Sequence, residues 1–202
     1  MKPLANFFQV LLSGIALFLW PGPAHAAEKY VGTCNVVFEG DSTLHGFTGD
    51  ITNLALVVTC DTNAAGIATL QTRLEIAPQQ LSTHSSKRDA NMYAMFKSDR
   101  FPKLIAVVTN APLAAAKLSP NGANTPGVLP VQLTFCGITK EVSARTSNPK
   151  ALPDGWEFDL QTDLSLKAFK LEPPSVMFGA ISVADTVKVK AHIKVQKETR
   201  KP

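Results

Sequence analysis

Residues 187–196 read Val187-Lys188-Val189-Lys190-Ala191-His192-Ile193-Lys194-Val195-Gln196, apolar at every odd position and polar at every even one. Successive side chains of a strand point to opposite faces, so this period of two describes a strand with one dry face and one wet face. The same rhythm recurs toward the N-terminus. Trp156, Phe158, Leu160, Leu164 and Leu166 alternate with Glu157, Asp159, Gln161, Asp163 and Lys167. Leu129, Val131, Leu133 and Phe135 form another row, and Ala68, Leu70, Leu74 and Ile76 alternate with Thr69, Gln71, Arg73 and Glu75. Further strands are predicted over Val31–Glu39 and Ile51–Thr59. Turn-forming clusters at Asp61–Gly66, Ser119–Gly127 and Ser147–Gly155 separate the rows. Many short antiparallel strands with such turns predict an all-β sandwich or barrel. No long helical period and no internal repeat interrupts them.

The N-terminus is of another kind. Lys2 precedes an apolar run from Phe7 to Trp20, then Pro21-Gly22-Pro23 and Ala24-His25-Ala26. The run is short for a membrane span, and small residues stand at the positions a signal peptidase reads. Residues 1–26 are therefore expected to be a cleaved signal peptide, with residues 27–202 a single exported domain in the periplasm. The chain carries a net charge of +4, which falls to +3 when Lys2, the one charged residue before Ala27, is removed. That charge is spread out, with no basic patch interleaved with aromatics, so nucleic acid is not an expected partner.

Export allows disulfides, and three cysteines, Cys34, Cys60 and Cys136, permit one bridge and a spare thiol. A hairpin folded about Phe47 would set Cys34 opposite Cys60, which makes Cys34–Cys60 the expected pair; three buried free thiols are the alternative. No metal site is expected: His45, His84 and His192 have no second ligand at a suitable spacing, and no C-x-x-C pair occurs. Nor does a nucleophile elbow or phosphate loop occur, so no catalytic residue and no cofactor is assigned.

One segment breaks the strand rhythm. Between Leu81 and Pro102, Ser86 and Asp89 have the spacing of a capping box, and Met92, Met95 and Phe96 fall at helical intervals. A short helix ending near Asp99 is predicted. Its Met-rich face suits a lid over a pocket with variable contents, and equally an ordinary core-covering helix. The polar cluster Thr83-His84-Ser85-Ser86-Lys87-Arg88 could meet a lipid head group at a barrel mouth, with Arg88 able to pair with a phosphate. His45 is read as a turn residue and His192 as outward-facing. Lys188, Lys190 and Lys194 read first as a solubilising face that discourages edge pairing, and secondly as a stripe for transient contact with a membrane surface.

Three stretches carry a resemblance: THSSKRDANMYAMFKSDRFPKLIA (83–106), VQLTFCGITKEVSA (131–144) and LSLKAFKLEPPSVMFGAISVADTVKVKAHIKV (164–195). In that order, behind the apolar leader, they resemble the YceI-like family of exported bacterial proteins. Leu133–Lys140 is similar to that family's Thr-Lys strand, although Cys136 within it and the Cys34/Cys60 pair are departures. The resemblance implies an extended, lipocalin-like antiparallel β-barrel with an apolar tunnel; at about eight strands such a barrel has room for side chains or one small ligand, with the short helix as a lid or insertion. It further implies a polyisoprenoid or other long-chain amphiphilic lipid held without covalent chemistry. On this reading Val36, Phe38, Leu70, Met92, Met95, Phe96, Leu133, Phe158 and Leu160 are expected in the apolar pocket, with His84 and Arg88 at its polar rim. A periplasmic redox or enzymatic role resting on Cys136 or His84 is the alternative.

Overall fold

The computed structural model describes residues 27–62, 65–118, 126–176 and 181–199. The expected signal peptide, residues 63–64 of the first predicted turn, residues 119–125 of the second and the last residues of the tail lie outside them.

The strands are β1 (Glu28–Ser42), β2 (Gly46–Thr62), β3 (Ala68–Ile76), β4 (Leu104–Pro112), β5 (Val128–Phe135), β6 (Ile138–Leu152), β7 (Gly155–Ser165), β8 (Ser175–Val176) and β9 (Ile181–Lys197). Helix α1 (Ser86–Met95) lies between β3 and β4, and the single turn α2 (Leu113–Ala116) follows β4. Each of β1 to β6 pairs antiparallel with the next, β7 pairs with β9, and β9 pairs with β1. The result is a closed eight-stranded antiparallel barrel, with the two-residue β8 attached to β9. The seam is long, running from Tyr30↔Lys197 to Gly40↔Val187. The β1–β9 pairing closes the sheet, so neither β1 nor β9 is left as an edge strand, the usual liability of a sheet.

Two glycines make the seam fit. A Cβ on Gly32 would stand 1.9 Å from the Lys194 carbonyl oxygen, and one on Gly155 would stand 2.0 Å from that of Val195. Both neighbours of β9 thus approach its backbone where only glycine has room. Bulges supply more curvature. Asn53 (φ 58) is the extra residue between the pairs Cys34↔Leu54 and Val36↔Ile51, and its N–H donates to Asn35 Oδ1 at 2.7 Å.

Four expectations need correction. First, the β1–β2 turn is not centred on Phe47. Asp41 pairs with Gly46, and Ser42 closes the turn with its hydroxyl on the His45 carbonyl. Gly46, Phe47 and Gly49 all lie within β2. Cys34 therefore faces Leu54, while Cys60 faces Glu28. Six residues of strand, about 20 Å, separate Cys60 from the position opposite Cys34. All three cysteines are free thiols, and the expected Cys34–Cys60 disulfide is absent.

Second, Leu133–Lys140 is a hairpin rather than one strand. Cys136 (φ 49) and Gly137 (φ 78) are the two turn residues between Phe135 and Ile138. Two successive positive φ angles are the requirement of a type I′ hairpin, whose twist matches that of its strands.

Third, α1 begins at Ser86, after Ser85, without the expected capping box. Asp89 instead reaches back to the preceding loop, accepting from the Thr83 N–H (2.7 Å), the Thr83 hydroxyl (2.5 Å) and the Ser82 hydroxyl (3.2 Å). The helix ends at Met95, four residues before Asp99, and irregular turns carry the chain to Arg100. Fourth, the Ser147–Gly155 cluster is mostly strand. β6 continues to Leu152, absorbing Asn148 (φ 52) and Pro149 in a bulge, and turns only at Pro153 and Asp154.

Candidate functional site

The up-and-down order sorts the connections between two ends. The β1–β2 turn, the β3–β4 connection with α1, the β5–β6 turn and the chain between β7 and β9 share one end. The β2–β3, β4–β5 and β6–β7 connections share the other. Between the ends lies a cavity of about 590 Å³. That is within the range of small-molecule sites, roughly 300–1,000 Å³.

Alternation builds its wall. β1 contributes Cys34, Val36 and Phe38; β2 contributes Leu56, Val58 and Cys60; β3 contributes Leu70, Thr72, Leu74 and Ile76. Leu129, Val131, Leu133 and Phe135 follow from β5, Trp156, Phe158 and Leu160 from β7, and Val187, Val189, Ala191, Ile193 and Val195 from β9. Each row is the dry side of a period-two pattern, so strand geometry alone directs it inward. At the α2 end, Tyr30 packs on Trp156 with ring centroids 4.6 Å apart. Burial and the Glu28 carboxylate push the Tyr30 hydroxyl up to about 12. Cys34 is 3 % exposed in this apolar wall, and burial pushes its thiol up to about 11. Burial raises the Cys60 thiol as well.

Helix α1 covers the other end. Met92, Met95 and Phe96 line the cavity from above. Phe96 stacks on Phe135 at 5.9 Å, and Phe135 meets Phe169 edge-on at 4.7 Å. Tyr93 turns away from the cavity and donates to the Leu81 carbonyl at 2.6 Å. Here the lining becomes polar: Ser42, His45, Thr83, Ser85, Lys87, Arg88 and Asn91. His45, Lys87 and Asn91 both line the cavity and are exposed to solvent, so the cavity reaches the surface beside them.

The nine residues expected in the pocket all line this one cavity, as does Arg88. The Arg88 guanidinium lies 5.3 Å from the Phe47 ring centroid and donates to the Thr83 carbonyl at 3.0 Å. His84 is the exception. With φ 57 it turns outward, its side chain is 67 % exposed, and its Nε2 lies 2.7 Å from Asp50 Oδ2. It is not part of the rim, because the loop that carries it runs beside β2, where Ser82 bridges to the Asp50 backbone and His84 reaches the Asp50 side chain. Lys87, read as part of the polar cluster at the mouth, does line the cavity; sequence reasoning missed His45. His45 was assigned to the turn, and nothing in a hairpin sequence says which way its tip leans.

Cys136 also stands outside the cavity lining, its thiol donating to the Phe96 carbonyl at 2.9 Å. Burial raises this thiol, and Lys97 partly offsets the rise. Among the described residues, no three His, Cys, Asp or Glu side chains are grouped to hold a metal ion.

A closed antiparallel barrel around an apolar cavity, capped by a short helix, is the architecture of lipocalin-like binding barrels. The family model for the YceI-like domain matches residues 28–195, and the chain belongs to that family. Solved structures with this fold include a polyisoprenoid binding domain from Saccharophagus degradans, implicated in plant cell wall breakdown. It is 12 % identical, with a TM-score of 0.60 over 84 % of this chain and 98 % of that one. Burkholderia cenocepacia BcnA is 14 % identical, with a TM-score of 0.56 over 79 % of this chain and 94 % of that one. The Campylobacter jejuni YceI protein is 14 % identical, with a TM-score of 0.53 over 75 % and 85 %. A comparison with curated proteins finds no match.

Proposed function

We propose that this chain is an exported, periplasmic lipid-binding protein whose barrel holds a polyisoprenoid or another long-chain amphiphile. The observation that carries this reading is the cavity of about 590 Å³, walled by aliphatic and aromatic side chains and lined by solvent-exposed polar residues at the α1 end. The printed description of the Saccharophagus degradans relative as a polyisoprenoid binding domain supports the choice of ligand class.

The energetics are those of burial. Each buried methylene contributes roughly 0.8 kcal/mol, so a chain of about twenty carbons gains about 16 kcal/mol before costs. The hydrophobic effect is non-directional, so the wall selects by length and bulk more than by functional group. Val36, Phe38, Leu70, Leu133, Phe158 and Leu160 would contact the chain from the sides, and Met92, Met95 and Phe96 from the α1 end. Residues 1–26 would direct export and be removed.

The redox or enzymatic alternative rested on Cys136 and His84. Neither lines the cavity; one thiol is bonded to the Phe96 carbonyl and raised, and the imidazole pairs with Asp50 outside the barrel.

Native mass spectrometry of the protein purified without detergent from its exporting host tests the proposal. A co-purifying long-chain lipid and a polypeptide mass beginning at Ala27 are expected. A protein that carries no lipid, and takes up none when offered prenols or fatty acids, would overturn the binding role.

A further inference from the structure

The charges around the cavity are one-sided. Lys87 and Arg88 line it, and His45 joins them, while among the described residues no Asp or Glu does. Of the carboxylates nearby, Asp89 and Asp50 are engaged elsewhere, and Asp41, beside the hairpin tip, does not line the cavity. Asp89 accepts from Thr83 and Ser82. Burial alone would raise its carboxyl, but those hydrogen bonds and the charge of Arg88 hold it below the usual carboxylate range, so it is ionised and faces the loop. Asp50 is paired with His84 on the outside.

Arg88 is also incompletely satisfied. Its Nη2 donates to Thr83 and its plane faces Phe47, but its Nε is buried and has no hydrogen-bond partner among the described residues. A buried donor left unpaired is costly, and a guanidinium matches the two oxygens of a carboxylate or phosphate. Lys87, exposed at the same opening, adds a compact point charge. His45 stands across the opening on the tip of the β1–β2 hairpin.

We infer that the ligand of this cavity carries an anionic head, a phosphate or carboxylate, seated at the opening between Lys87, Arg88 and His45 while its apolar chain fills the barrel. This rests on the lipid-binding reading and adds the charge of the ligand to it. A neutral amphiphile would bring no counter-charge to Lys87 and would leave Arg88 with only Asp89, whose oxygens are taken by Thr83 and Ser82. An anionic head pairs them at a place where solvent access is partial and the attraction is only partly screened.

The test compares ligands that differ only in the head: geranylgeranyl monophosphate against geranylgeraniol, and palmitate against hexadecanol, by titration of delipidated protein. Hydrogen bonds to a charged group make the anion of a pair tighter by about tenfold to a hundredfold. Raising the salt concentration should narrow the gap. In the Lys87→Gln/Arg88→Gln double variant the anion-to-alcohol ratio should fall toward one. In Lys188→Gln, on the outer face of β9, it should persist. Because each ratio is taken within one variant, a change in overall stability does not mimic the result. A preference in only one pair supports the inference and identifies phosphate or carboxylate as the head. Equal affinities for anion and alcohol in both pairs, or a preference that survives in the double variant, overturn it and leave the lipid-binding proposal standing. No binding of any of the four overturns both.

Discussion

The Cys136 thiol donates a hydrogen bond to the Phe96 carbonyl oxygen across 2.9 Å, joining the β5–β6 turn to the residue that ends α1. Phe96 stacks on Phe135, the residue before Cys136, so the helix terminus is held by a polar and an apolar contact to one hairpin. At its other end Asp89 ties the first turn to Thr83 and Ser82. Both attachments depend on local geometry that single substitutions can break.

At position 136 the turn is the more demanding constraint. Cys136→Ser keeps a donor and is expected to stay within about 1 kcal/mol of the parent. Cys136→Val places a β-branched residue at positive φ and is expected to cost about 1–2 kcal/mol or more. Urea unfolding of both variants checks this, and equal midpoints would show that the turn tolerates any side chain.

The thiols themselves should react in order of access. Peptide mapping under non-reducing conditions is expected to find no bridge. Alkylation near pH 8 should modify Cys136 well before Cys34, whose thiol, at about 11, is almost wholly protonated and buried. Recovery of a Cys34–Cys60 bridge would require β1 and β2 to pair six residues out of the present register.

The inward row is tested at Leu133. Leu133→Arg puts a charge without a partner into an apolar wall, and loss of several kcal/mol of stability together with bound lipid is expected. Gln132→Arg, on the exposed face of the same strand, should change neither by more than about 0.5 kcal/mol. Thermal melts with and without ligand separate the two. Indistinguishable variants would mean the strand faces are wrongly assigned.

A pH dependence follows from Asp159, whose side chain is 7 % exposed on the outer face of β7. Burial raises its carboxyl, but hydrogen bonds from His192 Nδ1 (2.8 Å) and Asn148 Nδ2 (2.7 Å), with Lys190 at 3.1 Å, outweigh that and hold it below the usual range. A folded-state value below the unfolded one stabilises the fold above the ordinary aspartate value, about 3.9, and that stabilisation is lost as pH falls further. Asp159→Asn should cost about 1–3 kcal/mol at pH 6, and the gap should close between about pH 4 and pH 2. A gap that stays constant to pH 2 would show that the carboxylate charge contributes nothing.

Ligand entry is expected beside α1. Hydrogen exchange across 89–99 should slow when stripped protein is loaded, because Met92, Met95 and Phe96 line the cavity. Unchanged exchange there, with slowing confined to the connections at the α2 end, would place the entrance opposite.

The wall of the cavity was legible in the sequence because strand geometry is local. Once Val187–Gln196 or Trp156–Leu166 is read as a strand, alternation decides which side chains share a face, and only the dry face can point into a barrel. The family resemblance rested partly on such rows, over 131–144 and 164–195, and partly on the helical segment within 83–106. The Met92-Met95-Phe96 spacing likewise announced a helix with one apolar face before any packing was known. What tertiary structure decided was register and direction. Whether Cys34 meets Cys60 depends on where the hairpin turns. Spacing about Phe47 favoured one register, yet the closed β1–β9 seam and the bulge at Asn53 are compatible only with a turn six residues' register away. His45 stays in the turn the sequence assigned to it but lines the cavity opening, while His84 stays in its loop but points away from the opening to Asp50. A loop residue's side chain is aimed by the surface beside its loop, and that surface is assembled from residues far away in the chain.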